Sequence, residues 1–99
     1  MNLRQAIRRM LEQLLQDMQV MHQGAGYYSC TPFARRYNKL LAQARTVVGD
    51  ENPLMATFED IPEADPKDPS DKIKVLHNIH VEAGQLIALL GCVEEAVQS

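Results

Sequence analysis

Tryptophan is missing from this chain, and other aromatics are scarce: Tyr27, Tyr28, Tyr37, Phe33 and Phe58 are all that 99 residues contain. A core of such composition must be built from Leu, Ile, Val, Met and Ala, as in helical bundles. Long apolar runs are missing too. Nothing approaches the roughly 20 consecutive apolar residues of a membrane span, so no membrane partner is expected. Arg4, Arg8 and Arg9 lie near the N-terminus, but Gln5, Glu12, Gln13, Gln16, Asp17 and Gln19 interrupt the apolar residues around them. That argues against a secretory signal and makes the cytoplasm the expected location. Two cysteines, Cys30 and Cys92, do not make a disulfide framework. Cys92 reads as a small buried hydrophobe. Cys30 precedes a helix start, where a thiolate could be stabilised, but no sequence-local partner supports a reactive role.

Most catalytic signatures are also absent. There is no phosphate-binding loop. The one Gly-x-Gly, Gly24 and Gly26, comes after a helix pattern and leads into tyrosines, unlike a dinucleotide fingerprint. No Ser sits in a nucleophile-elbow context. No catalytic residue and no cofactor is expected.

What is present is helical periodicity. Leu3, Ile7, Met10, Leu11, Leu14, Leu15, Met18 and Met21 recur at helix spacing. They predict a first helix over about 3–22, with Asn2 as cap, Gln5 at the capping-box position and Gly24 as its closing residue. Thr31 as N-cap and Pro32 as first helical residue open a second helix. Phe33, Tyr37, Leu40, Leu41, Ala44, Val47 and Val48 form its apolar face, and Gly49 stops it. Asn52 and Pro53 repeat the start signal, predicting a short helix over about 54–59.

Pro62, Pro66 and Pro69 alternate with Glu63, Asp65 and Asp68. This segment cannot continue a helix and reads as a surface linker too polar for the core. Ser70 is the expected cap of a long last helix reaching residue 99, with Asp71 favourable to its dipole. Leu76, Ile79, Ala83, Leu86, Leu90, Val93 and Val97 form a heptad seam on it. Ile73, Val75, Val81, Ile87 and Leu89 widen the apolar surface past one stripe, and a helix apolar on so many sides needs several neighbours.

These signals predict an all-α fold: a small antiparallel helical bundle of three main helices plus one short helix, with a long C-terminal helix. Residues 1–99 form one helical domain, with a Pro-rich acidic linker at 61–69.

Charge is uneven within a net −3. Residues 1–48 carry seven basic against two acidic side chains, and residues 49–99 three against eleven. Asp50, Glu51, Glu59 and Asp60 read as a solvated run. Arg35, Arg36 and Lys39 come after Tyr27 and Tyr28 and form a possible basic contact surface. The acidic chain and the lack of a recognisable nucleic-acid module weigh against nucleic acid as the partner.

His77 and His80, three apart on one helix, could reach a common metal ion. However, Lys74 stands where a Glu-x-x-His pair needs its Glu, and Glu82 falls on another side. A structural, packed His pair is the preferred reading, with no metal site. Gly84, Ala88, Gly91 and Cys92 form a stripe of small residues. Two helix-interior glycines cost about 1 kcal/mol each relative to Ala, and close helix packing at an interface is the expected offset.

The expected function is therefore that of a small cytoplasmic protein–protein interaction or regulatory module, acting as a homo-oligomer and without catalysis. One alternative is a metal-dependent enzyme or metal-binding protein using His77 and His80. A second is a nucleic-acid-associated accessory protein using Arg35, Arg36 and Lys39.

Overall fold

The computed structural model describes residues 3–23, 30–49 and 51–98, and the side chains of 21–23 and 93–98 fall outside that description. The described residues are mostly helical and contain no strand. Three helices pack against one another: α1 (Leu3–Gln23), α2 (Thr31–Val48) and α3 (Pro69–Gln98). No described helix is long and apolar enough to cross a membrane.

Each helix buries one stripe. On α1 it is Ile7, Leu11, Leu14 and Met18. Leu3 and Met10, which share the periodicity, stay more than half exposed. On α2 the buried residues are Phe33, Ala34, Tyr37, Leu40, Leu41 and Ala44. On α3 they are Leu76, Ile79, Ala83, Leu86, Leu89 and Leu90; Val93 and Val97 of the expected seam lie outside the described side chains. The Tyr37 hydroxyl is buried without a hydrogen-bond partner, and burial holds its pKa above the usual tyrosine value.

The helix ends that meet reveal the path of the chain. Asp17, late in α1, pairs with Arg36, early in α2. Arg8, early in α1, lies against Gly91, late in α3. The Cys30 thiol, just before α2, donates to the Lys72 carbonyl in the first turn of α3 at 3.7 Å. α2 and α3 therefore begin at the same end, which departs from a simple up-down-up order. Residues 49–68 must carry the chain back along the molecule.

That return begins at Gly49, whose φ of +102° suits glycine and whose N–H donates to the Arg45 carbonyl at 2.8 Å. The short helix expected over 54–59 is a single 3₁₀ turn, Met55–Thr57. Met55, Phe58 and Ile61 are all buried. The linker expected to be wholly surface thus buries its first residue, Ile61, in the core.

Two expected caps are corrected. Cys30 occupies the N-cap position of α2, and no side chain caps there; the Thr31 hydroxyl donates to the Glu63 carbonyl instead, at 2.7 Å. At α3 the capping carboxylate is Asp68, not Ser70. Its Oδ1 accepts from both the Ser70 N–H and the Ser70 hydroxyl at 2.9 Å, and these bonds hold its pKa below the ordinary carboxylate value. Pro69 comes next as first helical residue, where its missing N–H costs nothing. The expected Asn2 and Gly24 caps of the first helix lie outside the described residues.

Candidate functional site

The residues between Phe58 and Asp65 lie as a strap along α2, running opposite to it. Arg45 Nη2 donates to the Phe58 carbonyl at 2.6 Å and its guanidinium lies 3.7 Å from Asp60. Asn38 makes a reciprocal pair with Ile61: its Nδ2 donates to the Ile61 carbonyl at 2.8 Å, and its Oδ1 accepts the Ile61 N–H at 2.8 Å. Arg35 Nε donates to Glu63 at 3.1 Å. Asp65 accepts the Cys30 backbone N–H at 3.1 Å and lies 3.6 Å from Lys72. Hydrogen bonds from Arg35, and then from Asn38, hold the Glu63 carboxyl below its ordinary pKa.

The strap changes the meaning of the basic surface. Arg35 is paired with Glu63 and Arg36 with Asp17, at 3.1 and 3.0 Å. A hydrogen bond from Gln13, with Arg36 second, holds Asp17 below its ordinary pKa. A phosphate would have to displace both carboxylates. Lys39 lines a shallow groove between α1 and α2, with Met10, Gln13 and Gln43. Tyr27 and Tyr28, the expected stacking aromatics, lie outside the described residues.

His77 and His80 line a groove of about 600 Å³ between α1 and α3, over a floor that includes Leu15, Met18 and Leu76. Both are exposed, so they are not the packed pair expected from sequence. Among the described residues no three His, Cys, Asp or Glu side chains are grouped to hold a metal ion. The His22 side chain is outside the description. Cys30 is fully buried, and that burial, with the Asp65 charge, raises its thiol pKa. A reactive thiol needs the reverse.

Of the expected small-residue stripe, Gly91 is half-buried beside Arg8 of α1, and the other three residues lie on the solvent side of α3. Gly84, Ala88 and Cys92 are exposed. A Cβ on Gly84 would meet nothing within 4 Å among the described residues, and the nearest atoms to one on Gly91 belong to the Arg8 guanidinium, from 3.5 Å. Among the described residues, then, no helix approaches closely at Gly84. Cys92 is exposed, which corrects its reading as a buried hydrophobe: it shares the side of Gly84 and Ala88.

The stripe also extends further than its small residues. Ile73, His77, Val81, Gly84, Ala88 and Cys92 fall within an arc of about 100° at 3.6 residues per turn. All six are exposed, Ile73 by 51% and Val81 by 37%. None of the six carries a formal charge at neutral pH, but the charged and exposed Lys74 shares the arc, and Ile73 and His77 at its N-terminal end also line the groove against α1. An outward helix face of a globular domain is normally charged. α1 and α2 are strongly amphipathic, whereas α3 is only weakly so.

Sequence reasoning missed the strap and the full extent of this face. Asn38, between Tyr37 and Lys39, carries no signal for a 23-residue reach to Ile61. The face is legible as spacing, because Ile73 and Val81 belong to the residues that widen the apolar surface of α3. No protein-family model, curated protein or solved structure matches the chain.

Proposed function

We propose that this chain is a small cytoplasmic interaction module, built as a three-helix bundle, that works as a homo-oligomer rather than as a catalyst. The observation that carries this reading is the exposed, largely apolar side of α3, with Ile73 and Val81 open to solvent. Burying such a face against another protein surface removes apolar area from water at about 25 cal/mol per Å². Gly84 supports the same reading. It lowers helix stability by about 1 kcal/mol relative to Ala, and among the described residues no neighbour requires it.

Both alternatives draw less support. The His77 and His80 pair has no third donor grouped with it among the described residues, and Arg35 and Arg36 are already paired with carboxylates. Multi-angle light scattering from low to high micromolar concentration tests the proposal. A mass that rises from one chain to two or more is expected. A single-chain mass at high micromolar concentration overturns it.

A further inference from the structure

We draw no further inference here: the strongest candidate, the groove of about 600 Å³ between α1 and α3 lined by Leu15, Met18, Leu76, His77 and His80, carries nothing, because no third metal donor is grouped with its two imidazoles among the described residues and nothing in the structure shows what covers it.

Discussion

α2 and α3 start side by side, yet their outer surfaces are finished in opposite ways. α2 presents Arg35, Asn38 and Arg45, and the chain's own residues 58–65 are strapped across them. α3 presents Ile73, Val81, Gly84 and Ala88, which stay exposed and receive no such cover from the described residues. A polar helix face can be satisfied by a thin extended segment, because each backbone carbonyl or carboxylate meets a donor individually. An apolar face gains only by losing water over a continuous area, which a broad surface such as another helix supplies. The difference separates a surface completed within the chain from one left available.

If the strap is integral to the fold, removing its apolar anchor should give the largest effect. Ile61 is 5% exposed. Ile61→Ala should cost about 2–5 kcal/mol, read as a lowered denaturation midpoint. An effect under about 0.5 kcal/mol would mean that the strap is a surface trimming and that the contrast with α3 is empty.

The next effect isolates polar attachment. Asn38 satisfies both backbone groups of Ile61. Asn38→Ala leaves an N–H and a carbonyl without their partner, at about 1–3 kcal/mol. Melting should fall by about 4–8 °C for each kcal/mol in a domain of this size. Equal stability would show that water replaces the side chain at no cost.

These two residues also mark where sequence reading works and where it stops. The stripes Ile7-Leu11-Leu14-Met18 and Leu76-Ile79-Ala83-Leu86 are legible because a helix buries positions three and four apart, a purely local rule. Pro32 and Gly49 are legible because their backbone preferences are local as well. Ile61 is not: one apolar residue beside Pro62 and Glu63 has no periodicity, and its backbone is held by Asn38, 23 positions earlier. The caps escape for a similar reason. Thr31 has the right chemistry, but its hydroxyl is taken by Glu63, which is distant in sequence. At Ser70 the N–H is itself held by Asp68, so the capping group stands two residues earlier. The small stripe of α3 is legible as spacing; that its side faces solvent depends on which flank of α3 meets α1 and α2.

A smaller effect of opposite sign tests the other half of the comparison. Gly84→Ala should stabilise dilute protein by roughly 0.5–1 kcal/mol, since Ala is the better helix former and its methyl group meets no atom within 4 Å. Thermal denaturation at low micromolar concentration reads this directly. A destabilised dilute protein would place Gly84 against something within the protomer and remove it from the free face.

The smallest expected effect is the response of the strap to acid, because the groups involved are exposed. Glu63 accepts from Arg35 and Asn38, and Lys39 adds a further favourable charge. These interactions lower its pKa in the folded protein relative to its ordinary value of 4.5. A carboxylate depressed on folding binds fewer protons in the native than in the unfolded state, so its contribution is complete above the unfolded pKa and is lost as pH falls through the lower folded one. The contribution of Glu63 should therefore be constant near neutrality and decline below about pH 4.5. Exposure and salt screening keep it small. Glu63→Gln removes the titration while keeping a side chain that can still meet Asn38. The variant's stability should differ from the parent's at about pH 7 and converge with it as the medium is acidified past the carboxylate range, more visibly at low ionic strength. A difference that persists unchanged across that range would assign the effect to packing rather than charge. The Glu63 carboxylate would then be dispensable to α2, and the strap would be held by the buried Ile61 and by the hydrogen bonds of Asn38, Arg45 and Thr31 to its backbone.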